Sequence, residues 1–462
     1  MIAHEPAAPL GLRPDPPPVP PAPPHAQRGL FSALVRVGLI GFGGGSALIP
    51  VMHRELVERS LVDDAAFTRH TIVANITPGA LPVKLGGLAA LHRGRPGSVA
   101  AAGLTVAAPG TVLAVILLAG VAAAGTTALR MLGFVSVGIN AFILALLCHF
   151  AGGVVASHRH RAAAATVVVV VFALTGWRAT ARMIATLTGR QLALGVPTFT
   201  ALHVIAATIT LVALAAALRG WRRPSAAVTA SSRDRAPRRM WRSLIRATGI
   251  LVATLGGTLA VAVAAGGTRL LKLTSLVLAS AVTSFGGGEA YVAVADGYFV
   301  VGGYVDSDAF YQQAVPVANA LPGPILVKLA ALIGLIASGP GWLGWVAALT
   351  CAVAAVCGTL LPAVIVAVGS EAAQHSWFVT TLGAWVLPVV CGLLATTAVS
   401  MLDSSVRVAT DVGWSPGLAM LSVLAAVVVL VHLQRRTTHR DIPLILAAGS
   451  ASLAAFAMSG GI

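Results

Sequence analysis

The sequence predicts an all-α polytopic membrane protein, made of two repeats of inverted topology that contain broken and re-entrant helices. Three observations lead to this fold class. Of the 462 residues, 57% are hydrophobic and 10% are charged, whereas about a quarter of the residues in a soluble domain are charged. Apolar stretches long enough to cross a hydrocarbon core about 30 Å thick recur along the chain. A set of short motifs also occurs twice, in the same order.

The apolar stretches predict membrane-spanning helices. Four of the clearest are Ala100 to Gly125, Leu129 to Ser157, Gln191 to Leu218 and Trp377 to Leu402. Runs such as "ATVVVVVFALTG" and "AMLSVLAAVVVLVHL" are continuously apolar, while membrane-spanning strands alternate between apolar and polar residues. The four cysteines lie in apolar stretches without a C-x-x-C pair or a histidine at ligand spacing. We therefore expect no metal, no disulfide and no cofactor.

Two segments fall outside the apolar pattern. Residues 1–27 form a proline-rich tail that we expect to be disordered, with no apolar run that would make it a signal peptide. Residues 219–243 form a basic linker, which the excess of arginine in cytoplasmic loops assigns to the cytoplasm. Because the net charge of +16 is concentrated in such breaks between apolar segments, we expect no nucleic-acid partner.

The repeat is visible in paired motifs. "LIGFGGGSALIP" at residues 39–50 matches "AVTSFGGGEAYV" at 281–292, and "NITPGALPVKL" at 75–85 matches "NALPGPILVKL" at 319–329. The register is kept between them, since Val62-Asp63 matches Val305-Asp306. The first repeat is assigned to residues 28–218 and the second to residues 268–462.

An extra apolar helix, residues 244–267, has no counterpart before the first repeat, and one additional crossing inverts the repeat that follows it. The loops agree with inversion. Residues 53–70 contain three arginines, while the matching residues 292–313 contain no Lys or Arg and three aspartates. Inverted repeats are typical of secondary transporters, whose sites lie near mid-membrane between the repeats. We expect a multi-pass protein of the cytoplasmic (inner) membrane.

Two glycine triplets interrupt apolar runs at matched positions. They are Gly43, Gly44, Gly45 and Gly286, Gly287, Gly288. Successive glycines favour a helix break, and the positive end of a helix that restarts there attracts an anion. The alternative is that these glycines only allow close helix packing.

A proline-glycine turn follows each triplet. The turns are Pro78, Gly79 and Pro322, Gly323, Pro324, each preceded by an asparagine, Asn75 or Asn319. The apolar segment after each turn is too short to span the membrane, so it predicts a re-entrant helix that begins at the proline. Each asparagine is interpreted either as a donor to a ligand oxygen or as a helix cap.

Lys84 and Lys328 occupy matched positions in the apolar segments after the turns. A charge at the centre of a membrane helix costs about 2.5 to 3.5 kcal/mol on insertion scales. Either both lysines extend to the membrane interface, or their ammonium groups converge on a divalent anion. Glu289, next to the second triplet, is a candidate for accepting a coupling proton, or a structural partner of Lys328.

With these motifs in place, the chain resembles the chromate transporter family in its long, two-domain bacterial form. The resemblance rests on "SFGGGEAYV", "VDSDAF" and "NALPGPILVKLAALIG", with weaker echoes in the first repeat. It implies export of chromate, a sulfate-like dianion, with sulfate as a further substrate of some members. Two features depart from the family pattern: Ala80 stands where a second proline is usual, and lysine occupies a position more often neutral or acidic.

Other functions remain as alternatives. A membrane enzyme would need a nucleophile or a carboxylate-histidine set, and no His, Asp or Cys recurs in the duplicated motifs, so we expect no catalytic residues. An anion channel, a scaffold, and a transporter of sulfate or a small carboxylate are the remaining candidates. The expected partners are a small inorganic oxyanion and the lipid bilayer, with a homodimer as an alternative to a monomer.

Overall fold

The computed structural model describes residues 24–41, 48–190, 199, 201–222, 238–285, 288–339, 341–368, 377–436 and 441–459. All regular secondary structure in these ranges is helical. The first helices are α1 (Pro24–Ile40), α2 (Ile49–Leu56), α3 (Asp64–Ile76), α4 (Leu81–His92), α5 (Val99–Ala123), α6 (Thr126–Ser157), α7 (Arg161–Thr175), α8 (Trp177–Thr188) and α9 (Ala201–Arg222).

The helices that follow repeat this order after a long additional segment. They are α10 (Arg238–Thr283), α11 (Gly288–Ala295), two π-helical turns (Asp296–Val300 and Ala309–Ala314), α12 (Val315–Ala320), α13 (Ile325–Ser338), α14 (Trp342–Val368), α15 (Trp377–Thr410), α16 (Pro416–Arg436) and α17 (Asp441–Met458). The short pairs α3–α4 and α12–α13 each precede two long helices, α5–α6 and α14–α15.

The predicted all-α polytopic membrane fold is confirmed. Six helices in the described part of the chain are long and apolar enough to cross a membrane. Helices α7 and α8 would together make a seventh span, and they meet at a bend of 66°.

The segment boundaries differ from those expected. Helix α1 begins at Pro24, four residues inside the predicted tail, and the rest of that tail lies outside the described residues. Helices α9 and α10 extend into the predicted linker from both sides. Within α10, Gly267 is non-helical with φ 60° and ψ −150°. This break lies where the sequence ends the extra helix, and glycine adopts a positive φ without steric cost.

The two short helices α4 and α13 lie in the interior of the protein. They contain 12 and 14 residues, about 18 and 21 Å at 1.5 Å per residue, and are therefore too short to cross the hydrocarbon core. Their residues Leu81–Ala90 and Ile325–Leu335 are buried. Helices that end at membrane depth are tolerated where protein surrounds them, because their free backbone groups can find partners there.

Both repeats begin the element before the turn with an aspartate. The Asp63 carboxylate accepts a hydrogen bond of 2.7 Å from the Ala66 backbone N–H and caps α3. Its counterpart Asp306 accepts one of 2.9 Å from the Asp308 N–H. The hydrogen bond from Ala66 is the main cause that lowers the pKa of Asp63. Because this pKa is depressed, the cap stabilises the fold above the ordinary pKa of Asp and is lost as the pH falls through the lowered value.

We expect Asp63→Ala to lower the free energy of unfolding at pH 7 by about 0.5 to 2 kcal/mol, the usual effect of losing an N-cap. Asp63→Asn is the matched control, since asparagine caps about as well as aspartate. The free energies would be measured by SDS titration in mixed micelles. Equal stability of the alanine and asparagine variants would contradict the assigned cap.

Candidate anion site between the two repeats

The proline-glycine turns have the same backbone conformation in both repeats. Gly79 has φ 97° and Gly323 has φ 94°, a region that side-chain-bearing residues rarely adopt. Each turn leads directly into a short helix, α4 at Leu81 and α13 at Ile325. The first backbone N–H groups of those helices have no partner within the helix, so the positive end of a helix lies directly beside each turn.

Each turn contacts the start of the glycine break in the other repeat. The Gly79 N–H donates to the Ser284 carbonyl at 2.6 Å, and the Gly323 N–H donates to the Gly41 carbonyl at 2.7 Å. Gly41 and Ser284 occupy the same position in the two repeats, just before the phenylalanine of the triplet motif. These reciprocal hydrogen bonds place the two turns and the two breaks in contact.

The turns are also held tightly by the long helices of the opposite repeat. Gly79 lies against Thr359 of α14, where an added Cβ would be 2.8 Å from the Thr359 Cα. Gly110 of α5 lies against the second turn, where an added Cβ would be 1.9 Å from the Pro322 carbonyl oxygen. The contacts therefore involve backbone, which has little freedom to move away.

Gly288 begins α11 beside the start of α13. An added Cβ at Gly288 would lie 2.9 Å from the Cβ of Ile325, so the amino-terminal ends of the two helices are adjacent. The Ser284 side chain, at the end of α10, is 0% exposed, and its hydroxyl has no hydrogen-bond partner among the described residues. A buried hydroxyl without a partner is costly, and it is a candidate donor to a ligand.

Lys84 and Lys328 are buried, with 2% and 0% exposure, and neither extends to the membrane interface. The Lys84 ammonium donates to the carbonyls of Ala74 and Thr77, the latter at 2.6 Å. The Lys328 ammonium donates to the carbonyl of Leu321, which matches Thr77 in the repeat. Each lysine thus binds the carbonyl end of the helix that precedes its own turn, where a positive charge is favourable.

The remaining predicted residues take other positions. The Asn319 side chain donates to the Val315 carbonyl of its own helix at 2.8 Å, and Asn75 is exposed. Both interpretations of the two asparagines, as donors to a ligand oxygen or as helix caps, stay predictions. Gly43, Gly44, Gly45, Gly286, Gly287 and the side chain of Glu289 lie outside the described residues, and their roles stay predictions.

A cavity with charged and hydroxyl side chains in its wall lies elsewhere between the repeats, and the duplicated motifs gave no sign of it. Its volume is about 40 Å³, and it is lined by Thr175, Arg178 and Arg182 of the first repeat and by Asp296, Thr396 and Ser400 of the second, among others. Arg178 and Arg182 lie one helical turn apart in an otherwise apolar segment. Ionisable residues in membrane segments mark functional sites, so the same rule that selected the two lysines could have found them.

These features define a polytopic membrane protein whose short internal helices end beside polar groups between two repeats. Secondary transporters have short or broken helices in the same place. The sequence model of the family described as "Chromate transporter" matches residues 28–221 and again residues 271–453, and the chain belongs to this family. A similar protein is "Uncharacterized transporter YwrB" of Bacillus subtilis (strain 168), 37% identical over 62 residues. That match covers 13% of this chain and 32% of YwrB. No solved structure matches the chain.

We expect Gly110→Ala to destabilise the protein by about 1 to 3 kcal/mol, the usual cost of overpacking a core, because the new methyl group would meet the Pro322 carbonyl. Gly120→Ala in the same helix is the matched control, since an added Cβ there meets no atom within 4 Å. SDS titration would compare both variants with the wild type. Equal stability of the two variants would contradict the close packing of Gly110 against the Pro322 carbonyl.

Proposed function

We propose that this membrane transporter carries a small inorganic oxyanion, and that it exports chromate across the cytoplasmic membrane. The observation that carries the proposal is the reciprocal contact between the turn of each repeat and the glycine break of the other. This contact gathers helix ends and polar groups from both repeats at one buried place. An anion bound there would be held by parts that can move relative to each other, as transport requires.

The groups near this contact suit a negatively charged ligand. The amino-terminal ends of α11 and α13 are adjacent, and each provides backbone N–H groups and a positive dipole. The Ser284 hydroxyl is a buried donor without a partner. In our proposal the lysines add positive charge. Beyond the hydrogen bonds described, one ammonium proton of Lys84 and two of Lys328 remain for a ligand or a water. A tetrahedral dianion offers four oxygens as acceptors for such donors.

The electrical driving force supports export. Moving one charge through 100 mV is worth about 2.3 kcal/mol, so a dianion that leaves a negative interior gains roughly twice that. Uptake would require coupled cations. A transporter or channel for sulfate or a small carboxylate is the alternative, because the same donors would bind any small oxyanion.

The direct test uses everted membrane vesicles that contain the protein. We expect energised vesicles to accumulate labelled chromate, and sulfate to compete with it. Lys84→Met or Lys328→Met should abolish accumulation, because each removes a buried charge beside a turn. Lys272→Met is the matched control, since Lys272 is exposed on α10. Ser284→Ala removes one hydroxyl and leaves the lysine hydrogen bonds in place, and it should weaken apparent chromate affinity roughly five- to tenfold.

The outcomes separate the site from the function. Unchanged accumulation in both methionine variants would remove the lysines from the mechanism. If Ser284→Ala leaves the apparent affinity for chromate unchanged, the anion does not bind at the contact between the turns and the glycine triplets. If the wild-type protein accumulates no tetrahedral oxyanion, the proposed function itself is wrong.

A further inference from the structure

A buried carboxylate without a full set of partners lines the polar cavity between α8 and α15. Asp296 begins the π-helical turn after α11 and is 8% exposed, and its buried Oδ1 atom has no hydrogen-bond partner in the described part of the chain. A buried carboxylate is costly unless its oxygens are paired. That cost falls if the carboxylate is protonated or if a hydrogen-bond donor binds its Oδ1 atom.

Among the residues that the structure describes, neither arginine beside Asp296 is hydrogen-bonded to a carboxylate. Arg182 donates to two neutral hydroxyls, to Ser307 at 3.0 Å and to Ser400 at 3.4 Å. Both Arg178 and Arg182 interact electrostatically with Asp296. By contrast, Arg407 on α15 is paired with Asp308 at 2.9 Å and with Asp403 at 3.4 Å. The guanidinium groups at the cavity therefore keep donors and charge for an anion, while Arg407 has a structural role.

Each element around Asp296 contributes an identifiable group. Arg178 and Arg182 come from α8, and Tyr311 from the second π-helical turn is the further group that acts on the carboxylate. Helix α15 supplies hydroxyls, with Thr396 held at 2.8 Å from Thr175 of α7. From α9, His203 contacts the ring of Phe199, which lines the cavity.

We propose that this cavity is an oxyanion-binding position in which Arg178 and Arg182 hold the anion and Asp296 takes up one proton as the anion binds. The inference rests on the proposed function and adds its coupling ion. The proton comes from the bulk solution, where the buffer releases it, and adds to a carboxylate oxygen, and no covalent bond to the anion forms. Bound proton and bound oxyanion thereby favour each other.

Charge balance supports this linkage. Two arginines and one ionised aspartate leave a single positive charge, which a dianion would overturn into a net negative charge in a low-dielectric place. Once Asp296 is protonated, two positive charges face two negative ones. A dianion that leaves with one proton moves a single net charge, so the proton halves the electrical driving force for export that two charges would give.

The position is separate from the contact between turns and breaks. Asp296 lies eight residues after Gly288 along one helical segment, which is about 12 Å at 1.5 Å per residue. The cavity and the turn contact are therefore two places along α11.

The test is calorimetric titration of the detergent-solubilised full chain with chromate, in two buffers of different ionisation enthalpy. The wild type should take up close to one proton more per bound anion than Asp296→Asn, which should bind chromate with little dependence on pH. Chromate's own protonation is common to both proteins and cancels in the comparison. Arg182→Gln should weaken chromate binding roughly ten- to a hundredfold, the effect of losing a charged hydrogen-bond donor.

Controls and outcomes keep this inference apart from the proposed function. Asp411→Asn removes an exposed carboxylate of the same repeat and should match the wild type. Arg182→Lys keeps the charge if the glutamine variant fails to fold, and should bind chromate more tightly than that variant. If the wild type transports chromate in vesicles but Asp296→Asn takes up as many protons per bound anion as the wild type, the inference is wrong and the proposed function stands. Absence of both transport and binding in the wild type would overturn both.

Discussion

Backbone groups that leave a helix inside a membrane must find partners within the protein, and this constraint organises the whole structure. Each proline-glycine turn satisfies it by donating its glycine N–H to the carbonyl just before the other repeat's glycine triplet. The carbonyls left at the ends of the preceding helices are bound by Lys84 and Lys328. The two repeats therefore depend on each other for the hydrogen bonds of their least regular segments.

This dependence brings helix ends and polar groups of both repeats to one place, where we propose that the substrate binds. Short helices end there, so N–H groups and dipoles point into the interior, and the surrounding helices keep lipid away. Ser284 shows how the repeats have diverged, since its counterpart Gly41 brings no hydroxyl. The cavity with Asp296 adds a second polar place, formed by α8 from one repeat and α15 from the other. Polar groups are thus concentrated where the repeats meet.

Much of this fold could be predicted from sequence because the motifs are duplicated. The matched turns, lysines and triplets predicted short internal helices, and α4 and α13 occur in those places. The partners of these residues could not be predicted, since Gly79 and Ser284 are some two hundred residues apart and only the packed structure joins them. The burial of both lysines against carbonyls likewise depends on how each chain segment folds back. Arg178 and Arg182 were missed because they are not part of the duplicated motifs.

The proposed site depends on the hydrogen bond from the turn of each repeat to the residue just before the phenylalanine of the other repeat's triplet motif. A structure of the protein in lipid nanodiscs, determined by electron cryo-microscopy, would test it most directly. We expect hydrogen-bond distances from the Gly79 nitrogen to the Ser284 carbonyl oxygen and from the Gly323 nitrogen to the Gly41 carbonyl oxygen. Turns that instead bond within their own repeat, with the triplets wound into unbroken helices, would contradict it.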